Sequence, residues 1–329
     1  MAKLNFQTIL DALQDETKKI SKAHLERYSD LSEPDLRLFM QTWERISLPR
    51  KIQLLDMLAE KYEEDTLVSY AAIGTALLRD PHSEVRARAL RLLREEEDER
   101  VGEEILYLAA HDPELEPRIE AMPLLGMYVY YGEIESVSEP LKQKIERLLM
   151  NTLQRDENPR LCRRALEALG YSSHNETRAF IESALRRHDP EWVASALRAI
   201  RHSQDEKLWH DEVVSKLLDE DPLIRRAAVQ AAGELELQDT FSILTDIIED
   251  EEAETDLIDA ALWSLSQIGG EDAQTYLINL LDATDDEEMR EYLGGVMENL
   301  EFSDMFNGNS DLLDFDLDLD RFKDENDPF

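Results

Sequence analysis

The chain has 329 residues, 42% of them hydrophobic, with only 11 Gly and 11 Pro, so it has material for a sizeable core and a composition that favours long helices over many short strands. Its 74 acidic and 36 basic side chains leave a net charge of −38, which repels phosphate backbones and anionic membranes at long range and attracts basic proteins or peptides. Neither a nucleic acid nor a membrane is therefore expected as a partner, and the single cysteine, Cys162, can form no internal disulfide.

The first residues, "MAKLNFQTILDALQDE", lack the continuous apolar core of a signal peptide, and no run approaches the roughly 18 apolar residues that span a bilayer, so a cytoplasmic location is expected. Residues 1–66 carry helical patterns at "FQTILDAL", "TKKISKAHLERY", "EPDLRLFMQTWERI" and "PRKIQLLDMLAEKY". They lack the motif that follows and read as a helical capping region.

From residue 67 the chain repeats itself. "DPHSEVRARALRLL", "NPRLCRRALEALG", "DPEWVASALRAI" and "DPLIRRAAVQAAG" are one motif, and aligning its small residue puts Ala89, Ala121, Ala165, Ala196, Ala228, Ala261 and Leu293 in one column with a period of about 32 residues. Each unit is an amphipathic helix such as "TFSILTDIIED", a turn usually rich in Asp or Pro, and a second helix such as "TDLIDAALWSLSQIG". Asp before Pro suits the start of the second helix, because the carboxylate accepts free backbone N–H groups and Pro fits the first helical turn. The small column lets helices approach closely, while Leu, Ile and Val at spacings of three and four fill a shared core. One hairpin cannot bury both faces alone, so the expectation is an all-α superhelix, a solenoid of about seven helical hairpins over residues 67–302.

Two segments stand outside the period. Between Ala121 and Ala165 lie about twelve extra residues, an insertion near 127–140 that places Tyr128, Tyr130 and Tyr131 on a lengthened helix end and loop. Such aromatics either anchor a partner or pack the insertion onto its own hairpin. The last hairpin is expected to end near Phe302. In the acidic tail, residues 303–329, Leu313, Phe315, Leu317 and Leu319 alternate with Asp314, Asp316, Asp318 and Asp320 beyond a turn-rich "NGNSD". That tail has too much charge and too little apolar surface to fold alone, so it is expected to be disordered when free. Phe315, Leu317 and Leu319 are candidates for a linear motif that orders in a groove, either on a basic partner or on the chain's own Arg-bearing middle.

The Asp-Pro turn, the apolar-Arg pairs Val85-Arg86 and Ile224-Arg225, and the Ala-Leu pairs at Ala89, Ala165, Ala196 and Ala261 resemble the short bacterial form of the HEAT-repeat family, over about Leu67 to Leu300. The layout, including "LERYSDLSEPDLRLFMQTW", is also similar to a group of bacterial HEAT-repeat proteins for which the resemblance implies a fold and no established activity. The resemblance further implies that Arg86, Arg118, Arg225 and Arg290, which share one repeat position, bond the turn Asp of an adjacent unit. Arg163, Arg198 and Arg201 fall off that column and are the candidates for ligand contact.

Charge is uneven along the chain. Residues 246–329 hold 27 acidic and 3 basic side chains, whereas residues 155–226 have 14 acidic and 13 basic. Iron-dependent hydroxylases of HEAT type carry paired His-Glu dipeptides, and this chain has no His-Glu. There is no phosphate-binding Gly-rich loop, no Gly-x-Ser-x-Gly elbow and no Cys-x-x-Cys. Asp314, Asp316, Asp318 and Glu325 imitate a calcium loop, but Leu319 stands where the tight turn wants Gly. No metal and no cofactor are expected. The reading is a non-enzymatic protein-interaction scaffold whose acidic C-terminal repeats and tail bind a basic protein or peptide; the alternative is an enzyme or assembly factor of the HEAT-repeat bilin-lyase type.

Overall fold

A computed structural model describes residues 5–307 apart from 157 and 251. The expectations for the acidic tail from residue 308 on, including the motif residues Phe315, Leu317 and Leu319, lie outside the described residues. Every regular element described is a helix.

The chain divides into two compact units, Met1–Ser203 and Gln204–Phe329. The first opens with α1 (Phe6–Gln14), a 3₁₀ turn (Lys22–Tyr28), α2 (Glu33–Trp43) and α3 (Leu48–Glu64). Four hairpins follow: α4 (Ala71–Leu77) with α5 (Ser83–Arg91), α6 (Glu99–His111) with α7 (Leu115–Glu133), α8 (Glu139–Arg155) with α9 (Pro159–Leu169), and α10 (Thr177–Leu185) with α11 (Pro190–Ser203). Their second helices stack in series, α5 between α3 and α7, and α9 between α7 and α11. In this arrangement α3 takes the place of a second helix although it lacks the repeat motif. The second unit contains three hairpins: α12 (Glu206–Val214) with α13 (Pro222–Glu234), α14 (Phe241–Glu249) with α15 (Thr255–Ile268), and α16 (Gly270–Ala283) with α17 (Glu287–Asn307). There α15 packs between α13 and α17. The final helix runs past Phe302 to Asn307.

The Asp-Pro dipeptide does two local jobs. Asp221 caps α13 directly, its Oδ1 accepting from the Leu223 and Ile224 amides, with Pro222 at the first helical position. Asp80 and Asp112 instead accept the amide two residues on, from His82 and Glu114, and their helices begin a few residues later. In the long unit Asn158 is the cap, accepting from the Leu161 amide.

The seven residues of the small column, Ala89 to Leu293, are all fully buried. Glycines tighten the same seams. A Cβ on Gly233 of α13 would stand 2.6 Å from the Ser264 Cα of α15, so at this point backbone lies on backbone. Ser264 fastens the contact: its Oγ sits 2.8 Å from both the Val229 carbonyl of α13 and the Ala260 carbonyl of its own helix. The twelve extra residues of the insertion lengthen α7 and α8 to 19 and 17 residues. Overpacking this seam is costly, so Ala228→Leu is expected to destabilise the protein by about 1–3 kcal/mol. Thermal unfolding checks it, and an unchanged Tm would contradict the seam.

Candidate functional site

Along the turns of the first unit, a cation on each of α3, α5 and α7 reaches the turn carboxylate of the next hairpin. Arg86 of α5 makes a two-pronged pair with Asp112, Nε to Oδ2 and Nη2 to Oδ1 both at 2.7 Å, while its Nη1 donates to the Asp80 carbonyl at 2.8 Å. Arg118 of α7 donates to Asp156 at 2.8 Å. Sequence reasoning missed the first rung: Lys51 of α3 lies 3.6 Å from Asp80, which also accepts from the Trp43 indole at 2.8 Å. The signal was present, since Lys51 stands three residues before the buried Leu54 just as Arg86 stands three before Ala89. Arg225 and Arg290 instead donate to the carbonyls of Asp219 and Thr284 in their own turns. In α9 the rung position is held by Cys162, a buried thiol 3.4 Å from the Thr152 and Asp156 carbonyls. Its burial and the Asp156 charge push its pKa upward.

Two of the three tyrosines of the insertion are buried. Tyr128 is 1% exposed, its hydroxyl donates to the Asp98 carbonyl at 2.9 Å, and its ring covers Gly102, where a Cβ would collide with it. Tyr131 is buried edge-to-face on Tyr128. Both are thereby removed from any surface patch, because an anchor must be reachable by a partner. Tyr130 alone is exposed, beside Tyr171.

The three off-column arginines have different fates. Arg163 is largely covered and bound to Glu191 at 2.6 Å across the α9–α11 seam. Arg198 bonds Glu167 at 3.1 Å, and Arg201 makes no hydrogen bond or ion pair with another described residue. Arg198 and Arg201, but not Arg163, line a groove on α7, α9 and α11 whose floor includes Leu124, Met127 and Tyr171. The groove's other members were missed, yet they have a register: Met127, Tyr171 and His202 each lie six residues after a column alanine.

In the second unit, α14 to α17 carry the acidic surface. Between residues 246 and 300 there are 17 acidic side chains against Arg290 alone. Asp246, Glu249, Asp272, Asp282, Asp285 and Glu287 are among those exposed. Arg226 holds Asp256 at 2.7 Å. The field is felt locally: the Tyr276 phenol is pushed up to about 12, by burial first and then by the Glu249 charge. Among the described residues, no three His, Cys, Asp or Glu converge as a metal-ligand set, and no helix is long and apolar enough to cross a membrane.

Residues 210–293 match the family described as HEAT repeats. The match runs from within α12 to the start of α17, and the same small column and turn aspartates recur in the first unit. No curated protein matches the chain in sequence. Solved structures similar to it include Escherichia coli YibA, at 17% identity over 86% of this chain and 98% of that one with a TM-score of 0.43. Importin beta is similar at 12% over 90% of this chain and 44% of that one, also at 0.43, and human deoxyhypusine hydroxylase at 16% over 80% and 95%, at 0.32.

The Arg86 rung carries a testable pH signature. Burial alone would raise the Asp112 pKa, but the Arg86 hydrogen bonds, the Glu114 amide and the charges of Arg86 and Arg118 outweigh it and hold the carboxyl below its ordinary 3.8. A depressed carboxylate stabilises the fold above its unfolded-state pKa and loses that contribution as pH falls through the folded value. Arg86→Ala strands a buried carboxylate and is expected to cost about 3–5 kcal/mol at neutral pH. Denaturant titrations should show the deficit shrinking below about pH 4, as Asp112 protonates.

Proposed function

We propose that the protein is a non-enzymatic scaffold that binds a basic protein or peptide through its acidic C-terminal repeats, with the acidic tail contributing. The observation that carries this reading is the exposed carboxylate surface of α14 to α17, where 17 acidic side chains share one stretch with a single arginine. Stacked hairpin repeats support it, because they offer extended surfaces on which binding residues from successive units add up. So does economy of charge: like charges held together cost stability, and a basic ligand relieves that repulsion.

Binding of this kind is long-ranged and screened by salt. A Lys- and Arg-rich peptide is expected to bind the full-length protein, and its affinity should fall by about tenfold or more between about 0.05 M and about 0.5 M salt. Neutralising one exposed cluster with Asp282→Asn, Asp285→Asn and Glu287→Gln should weaken binding and flatten the salt dependence. Affinity indifferent to both salt and these substitutions would count against the assignment.

A further inference from the structure

The groove on α7, α9 and α11 has the opposite sign to the rest of the molecule. Its volume is about 620 Å³, and Arg94, Arg164, Arg198 and Arg201 stand around it with Glu167 as the one carboxylate in its lining. Glu167 is already engaged on three sides: Arg164 Nη1 at 2.8 Å, Arg198 Nη1 at 3.1 Å and the Ser195 hydroxyl at 2.7 Å. Arg94 reaches Glu63 on the outer rim at 2.7 Å. That leaves Arg201 with no partner among the described residues and Arg198 and Arg164 sharing one carboxylate between them.

The floor of the groove is apolar. Leu124 and Met127 come from α7, and Tyr171 lies flat on His202 of α11, ring centres 4.1 Å apart and planes 19° from parallel. Burial and the Arg201 charge lower the His202 pKa to about 4, so at neutral pH the stacked pair is uncharged and adds breadth to the apolar surface. A compact inorganic anion would use the guanidiniums and leave this floor wet. A nucleic acid would present its backbone to a chain of net charge −38. The combination suits a peptide that brings carboxylates and a bulky apolar side chain together.

We propose that this groove is a second docking site, taking an acidic linear segment of a partner protein: an apolar side chain seats on Leu124, Met127 and Tyr171 while flanking carboxylates pair with Arg201 and Arg198. The site is independent of the acidic surface of the second unit and would give the scaffold two surfaces of opposite preference. Its salt response should differ as well. The net charge of the whole chain repels an acidic peptide at long range, and salt removes that repulsion while acting less on short-range pairs inside the groove. Binding should therefore change little with salt, unlike that of a basic peptide.

The test is fluorescence anisotropy of a labelled synthetic peptide of alternating Asp, Leu and Phe titrated with the full-length protein. Saturable binding is expected, with a loss of about tenfold in Arg201→Glu, a side chain whose removal breaks no described contact. Arg164→Glu provides a second variant, and thermal unfolding of both confirms that they fold. A control peptide with Ser in place of Leu and Phe should bind about tenfold more weakly. Equal binding to the folded Arg201→Glu and Arg164→Glu proteins, or equal binding of the Ser peptide, would overturn the proposal. A several-fold gain in peptide affinity when Phe315, Leu317 and Leu319 are changed to Ser in the full-length chain would overturn it differently. It would assign the groove to the chain's own acidic segment rather than to a partner.

Discussion

A hairpin of two amphipathic helices leaves apolar surface on both flanks, and it can bury that surface only if the next hairpin comes close. Closeness is limited by whatever side chain sits at the crossing. Here that position is Ala in six hairpins and Leu293 in the last, and every one of these residues is fully buried. Gly170 and Gly233 carry the approach further, with the neighbouring backbone of Ala199 and of Ser264 where a Cβ would be. The larger side chains around the column can then interdigitate at the density of a protein interior.

Close stacking puts the turns of adjacent hairpins side by side, and the turn aspartate uses this. One oxygen accepts an amide two residues on in its own loop, and the carboxylate also takes a cation from the second helix of the preceding hairpin, so a single carboxylate closes a turn and joins two units. The arrangement depends on being complete. A buried carboxylate with its amide and guanidinium partners is satisfied, whereas the same carboxylate with one partner removed is a stranded charge. The N-terminal helices take part on the same terms: Lys51 and Trp43 supply to Asp80 what an arginine supplies further along. They cap the first hairpin by continuing its chemistry as well as by covering its apolar side.

Charge that is not used in joining units is distributed unevenly between the two stretches. In the first unit many surface carboxylates are paired, as with Arg88 on Asp56, Arg91 on Glu120 and Lys144 on Glu103. In the stretch from 246 to 300 the chain has a single cation of its own, and Asp256 takes Arg226 from α13, so acid far outnumbers base on this surface. The arginines of α9 and α11 show the converse. Where a helix seam supplies a carboxylate, as Glu191 does for Arg163, the guanidinium becomes structure; where it does not, as at Arg201, the charge stays available.

Periodicity is a local property, and what depends on it could be read from the residues: the hairpin repeat, the buried small column, the shared arginine position, of which Arg86 and Arg118 pair across units, and the concentration of acid toward the C-terminus. The rest needed the third dimension. Whether Tyr128 anchors a partner or fills a core depends on Gly102 of the neighbouring helix leaving room for its ring. Arg163 and Arg201 look alike in the sequence and differ only because Glu191 lies across from one of them. The groove floor gathers Leu124 from α7, Tyr171 from the turn after α9 and His202 from α11, positions separated by dozens of residues. Sequence alone determined which residues are apolar, small or charged and at what spacing, because helical geometry turns spacing into faces. Only the tertiary structure decided which charges are cancelled and which aromatics are covered, because those outcomes belong to pairs of helices and not to either one.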